Sequence, residues 1–183
     1  MIIFSACMVV ACSFQACQNT SKNEDSSIRR MDLAEGTFRP QGDDTTGFLA
    51  LAAVGGKMEV ELGTMAQMRA KNAEVKEFGA MMVKDHSKAN AEIQSLAEAR
   101  KMVLPTMYPK KTQRHINDLK ELNPKAFEKH YMSMMVEDHE KDIALFKAAT
   151  KHSDTSISRF ATKTLPILEA HLKAATAIKS SLK

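Results

Sequence analysis

Two near-identical hexapeptides, MMVKDH at residues 81–86 and MMVEDH at 134–139, each end in an Asp-His pair. Both fall in long helix-forming runs, where apolar residues recur at helical spacing. His86 follows Phe78 and Met82 on one stripe and precedes Ala89 and Ile93. His139 follows Met132, Met135 and Val136 and precedes Ile143 and Phe146. A third histidine, His171 in LEAHLKAA, continues Phe160, Thr164 and Leu168 toward Ala175 and Ile178, and Glu59 falls between Gly55 and Leu62–Ala66. Each of four helical segments therefore carries one strongly polar side chain on its apolar face. Each lies about fourteen to seventeen residues into its segment, which at about 1.5 Å per residue puts all four near one level, whichever way the helices run. Three imidazoles and a carboxylate at one level are competent ligands for zinc or iron, and less readily for copper. Asp85 and Asp138 sit about 100° round the helix from their histidines, placed to orient an imidazole of a neighbouring helix or to add a ligand.

The alternative chemistry is plainer. A histidine on an apolar face is commonly a hydrogen-bonded core residue, and a buried layer of such groups fixes helix register without metal. Four at one level bring the metal reading close to that one. His115, His130 and His152 are expected at the surface. Ten methionines follow residue 44. Met81, Met82, Met132, Met134 and Met135 would suit copper(I), but methionine more often fills gaps in a core.

The elements that must position these residues are helical. The chain has 183 residues, 44% apolar, with no Trp, two Tyr, seven Gly and five Pro. Scarce aromatic and β-branched residues favour helices over sheets. Asp43-Asp44 can cap a first helix from about Thr45 to Ala70, and Asn72 a second reaching about Met102. Asn123-Pro124 begins a third and Asp154 caps a fourth that contains Pro166. Gly55-Gly56 in the first helix predict a kink or a close backbone approach. The pattern is all-α, a four-helix bundle whose connection between the second and third helices is long, with a short helix expected near Thr112–Leu122. Such a long crossover is what ferritin-like bundles use to run those two helices in parallel, and an up-down bundle with a wandering loop is the alternative.

The first forty-four residues differ in kind. Cys7, Cys12 and Cys17 are the only cysteines, so no disulfide framework or thiolate metal site is available beyond them. Residues 1–17 resemble a bacterial lipoprotein signal peptide with Cys17 as lipid acceptor and Cys12 as the alternative, although no Lys or Arg precedes the apolar stretch. Residues 18–44 are polar and charged and read as a disordered tether, and residues 45–183 as the bundle domain. A lipidated cysteine would anchor the domain to an envelope membrane, outer-membrane or periplasmic in address. The net charge of +4 is mild. The basic residues are scattered without interleaved aromatics, which argues against a nucleic-acid partner.

The segments GGKMEVELGTMAQMRA, VKEFGAMMVKDH, FEKHYMSMMVEDHEKDIALF and LPILEAHLKAA together resemble an uncharacterised ferritin-like family of bacterial envelope proteins, often labelled as outer-membrane proteins. The resemblance spans about residues 45–178 and implies a ferritin-like bundle, with no activity to transfer. Ferritin-like di-iron proteins use Glu-x-x-His pairs, but three residues before the histidines here stand Val83, Val136 and Leu168. Ferroxidase chemistry is therefore not expected. The repeated hexapeptide also falls on the second and third helices, whereas a ferritin-style duplication relates the first hairpin to the second. The residues and the resemblance together predict an envelope lipoprotein whose Glu59, His86, His139 and His171 bind metal in a non-catalytic or stress-related role. A structural or interaction module is the alternative and a metal-dependent enzyme the third, for which no nucleophile, phosphate-loop or cofactor motif is found.

Overall fold

The computed structural model describes residues 44–182, and the signal and tether expectations, with Cys12 and Cys17, lie outside them. Five helices follow one another, α1 (Thr45–Arg69), α2 (Ala73–Glu98), α3 (Lys110–Glu121), α4 (Pro124–Ala149) and α5 (Thr155–Ser181). There is no strand among the described residues. None of the helices is long and apolar enough to cross a membrane.

The long helices begin where their caps predict. The Asp44 carboxylate accepts from the Gly47 amide at 2.8 Å, Asn72 from Val75 at 3.2 Å, and Asn123 from Ala126 at 3.1 Å. Asp154 accepts from Ser156 at 2.9 Å. Each cap satisfies an amide that has no partner within its helix. Helix α2 stops at Glu98, four residues short of the expected Met102. The Met102 amide returns to the Ala97 carbonyl and the Lys101 amide to Glu98, with Lys101 at φ 53. That is a Schellman-type stop with lysine in the left-handed position usually held by glycine, which no glycine signals in the sequence.

The four long helices touch in a closed ring, α1 to α2, α2 to α5, α5 to α4 and α4 to α1, with α3 laid against α4. Contacts at their ends fix the directions. Arg69 at the end of α1 donates to the Leu122 carbonyl just before α4, and Glu128 early in α4 accepts from the Lys71 and Asn72 amides. Arg100, after α2, bonds Asp154 at the start of α5. Hence α2 and α4 start at the same end and run in the same direction, joined by the crossover that carries α3.

The core lies in two parts. Leu62, Phe78, Phe127, Tyr131, Met132 and Met135 are among the cluster near the α1–α2 turn. Phe48, Ile93, Phe146, Ile157 and Phe160 are among the cluster at the other end. Between them, on every long helix, falls the polar layer. The methionines weighed for copper(I) belong to the first cluster, Met81 from its edge, so they fill core volume.

Gly55-Gly56 neither break α1 nor give the close approach. That approach lies at Gly63 and Gly79: a Cβ on Gly63 would stand 2.7 Å from the Gly79 carbonyl, and one on Gly79 would stand 2.6 Å from the Gly63 carbonyl. Gly56 instead makes room for Asn90, whose Oδ1 would be 2.3 Å from an added Cβ. His115 and His130 are exposed as expected, but His152 is buried and bonds Thr45 across the bundle end at 3.0 Å.

Candidate metal centre

The polar layer brings together the four residues singled out by periodicity. Glu59 and His139 are 0% exposed, His171 2% and His86 5%. The three imidazoles stand in a near-equilateral triangle, with ring centroids 5.3–5.6 Å apart. One ring nitrogen from each of His86, His139 and His171 lies within 4.8 Å of the others. Glu59 reaches in from α1, with Oε2 2.9 Å from His86 Nδ1 and Oε1 3.4 Å from His139 Nδ1. Those are ion-pair distances, yet neither imidazole gives Glu59 an aligned hydrogen bond; its carboxyl partner is Asp142, and His86 Nε2 is buried without a partner.

The hydrogen bonds that do form fix the protons. His139 Nδ1 faces the Met135 carbonyl at 2.8 Å, an acceptor only, so Nδ1 carries the hydrogen. His171 Nε2 faces Asp85 Oδ2 at 3.2 Å, so Nε2 donates there. In the neutral rings the remaining nitrogens, His139 Nε2 and His171 Nδ1, are lone pairs, and they face each other at 3.3 Å. Burial favours those neutral rings. It pushes His139 down to about 4, against the pull of Glu59, and lowers His86 and His171 as well.

Asp85 thus orients an imidazole of a neighbouring helix, the role its position on α2 suggested. Asp138 makes no hydrogen bond to an imidazole: its Oδ1 pairs with exposed Lys141 at 3.1 Å on its own helix, its Oδ2 is buried without a partner, and burial raises its carboxyl. The acid that does join the layer is Asp142, three residues after His139 and outside both Asp-His motifs. It is packed beside Glu59, and burial first, then the Glu59 charge, push it well above the carboxylate range. Burial likewise pushes Glu59 up to about 7, with His139 opposing, Asp138 adding to the rise and a hydrogen bond with Asp142 opposing it. The sequence signal for Asp142 is its place on the stripe between His139 and Phe146, after the histidine rather than before it. The Tyr131 hydroxyl is buried without a partner under the layer and is raised by burial and by Glu59.

Two surface clefts, of about 690 Å³ beside Lys57 and Tyr108 and about 390 Å³ beside Thr64 and Arg69, are lined by residues outside the layer.

An all-helical domain with a buried His/Glu cluster is the class these observations define. Residues 34–178 match a family described as a domain of unknown function, DUF4142, and the chain belongs to that family. Among solved structures it is similar to a DUF305 protein from Streptomyces coelicolor described as secreted. Their TM-score is 0.64 at 14% identity, over 74% of this chain and 89% of that one. At that identity the likeness concerns the fold. No curated protein matches the chain.

Proposed function

We propose that the protein is a ferritin-like four-helix domain that binds one divalent metal ion, zinc or iron, through His86, His139, His171 and Glu59. The observation that carries this reading is the approach of His139 Nε2 and His171 Nδ1 to 3.3 Å while their other nitrogens face the Met135 carbonyl and the Asp85 carboxylate, which in neutral rings leaves two facing lone pairs. Two lone pairs at that distance repel unless a cation lies between them. Bonds of about 2.0–2.1 Å to one ion place adjacent nitrogens about 3.0–3.4 Å apart. The Glu59 oxygens and the unpartnered His86 Nε2 are the further donors such an ion would use. Asp85 then serves as the outer partner that keeps the ligating nitrogen of His171 unprotonated. The secreted neighbour supports an extracytoplasmic address, and a lipid anchor at Cys17, or at Cys12, is the proposed attachment to the envelope membrane.

The bonds from His139 to Met135 and from His171 to Asp85 also fit a purely structural layer. Elemental analysis of the purified chain, after zinc or iron loading and beside a His86→Ala, His139→Ala double variant, separates the two. One equivalent of metal in the parent and none in the variant supports binding. A parent that retains none, with a variant that only melts earlier, leaves a register-fixing layer.

A further inference from the structure

Resting on the metal reading, we propose that Asp142 is a fifth ligand. It turns the layer into a three-histidine, two-carboxylate site suited to manganese(II) or iron(II) rather than to four-coordinate zinc.

Three observations converge on Asp142. It follows His139 by three residues, which puts both on one face of α4. Its carboxyl group crosses to α1 one turn before Glu59: a Cβ built on Gly55 would stand 3.6 and 3.8 Å from its two oxygens. The pair Gly55 and Glu59 therefore brings the two carboxyl groups to one place, with His86 on the other side of Glu59 at 2.9 Å. Finally, among the described residues neither Glu59 nor Asp142 forms an ion pair with a Lys or Arg. Glu59 meets the imidazoles of His86 and His139 and the carboxyl of Asp142 itself, and the nearby Lys141 is taken by Asp138.

Charge and donor count then point to the kind of ion. Burying two carboxylates without a counter-charge is costly, and neutral imidazoles supply none. Two carboxylates and three neutral imidazoles make a set of charge −2, which one divalent cation neutralises. Three histidines and Glu59 would already fill a tetrahedral zinc site. A fifth, hard oxygen donor adds most to ions that accept five or six ligands and prefer oxygen, manganese(II) and iron(II) foremost.

The test compares manganese(II) and zinc(II) affinity by competition with a metal indicator on the purified full chain. The variants are Asp142→Asn and Asp142→Ala, with Glu137→Gln, exposed on the same helix, as control. Both Asp142 variants remove a buried acid, so the metal-free fold should survive in at least one of them. Manganese affinity should fall at least about tenfold in the Asp142 variants, while zinc affinity changes less than about threefold and the control matches the parent. Unchanged affinities, or equal losses for both metals, would overturn the assignment of Asp142 while leaving the metal centre standing. A parent that binds neither ion would overturn the metal reading itself, and this inference with it.

Discussion

Metal binding should stabilise the protein by an amount that depends on pH, and Glu59 should set the dependence. In the metal-free fold burial holds the Glu59 carboxyl near 7 and the His139 imidazole near 4. At pH 5 the imidazole is already free to ligate, whereas Glu59 carries a proton that an incoming ion must expel. Each pH unit below 7 lowers affinity about tenfold, so the step from 7 to 5 costs about a hundredfold, or about 2.7 kcal/mol. An ion supplied at about 100 times its neutral-pH Kd stabilises the fold by about 2.7 kcal/mol; at pH 5 the same concentration is near Kd and contributes about 0.4 kcal/mol. For a domain of this size that is a rise in Tm of about 10 °C at neutral pH and about 1–2 °C at pH 5. The sign reverses without metal. A carboxyl raised above its unfolded value of 4.5 contributes stability that is fully present below that value and is lost as pH rises through about 7. Asp142, raised in the same direction, strengthens both trends. Calorimetric melts of loaded and metal-free chain from pH 5 to 7.5 measure the difference. A metal-induced rise that is the same at pH 5 and 7.5 would refute the argument. So would one that collapses with a three-proton slope near the ordinary histidine range, since the imidazoles would then be the groups that titrate.

Other predictions concern the scaffold. Gly63→Ala forces a Cβ to 2.7 Å from the Gly79 carbonyl, where backbone cannot yield, and should cost about 1–3 kcal/mol in urea unfolding. Gly55→Ala meets nothing closer than 3.6 Å and should gain about 0.5–1 kcal/mol of helix propensity; a loss there would mean that the α1–α4 contact has no room for a methyl group. Glu128→Ala removes an acceptor from the Lys71 and Asn72 amides, at 2.6 and 2.8 Å, and should cost about 1.5–3 kcal/mol in the same assay. Lys101→Gly relieves the left-handed residue at the end of α2 and should raise stability by about 1 kcal/mol. An unchanged midpoint would show that the turn is not strained by its lysine.

Periodicity and capping are local properties, and they were legible. Asp44, Asn72, Asn123 and Asp154 cap their helices because a short polar side chain before an apolar run has few other places to put its oxygen. Glu59, His86, His139 and His171 face inward because a repeat of 3.6 residues leaves each on its apolar stripe. Spacing along a helix also gave their common level. It could not say which helices are neighbours, how each is rotated against the next, or where side chains from two helices meet. Packing decided those: that Asp85 serves His171 while Asp138 turns to Lys141, and that Asp142 crosses to Gly55 and joins Glu59. It also decided that the close approach falls at Gly63 and Gly79, not at Gly55-Gly56, and that His152 is buried at the bundle end. The protons followed in turn, since the tautomer of each histidine depends on an acceptor that its own stripe does not name, or that, like the Met135 carbonyl, every helix offers alike. The sequence by itself determined which faces are apolar and which polar groups lie upon them. Only the closing of four helices around one layer turned those groups into a set of inward lone pairs and carboxyls.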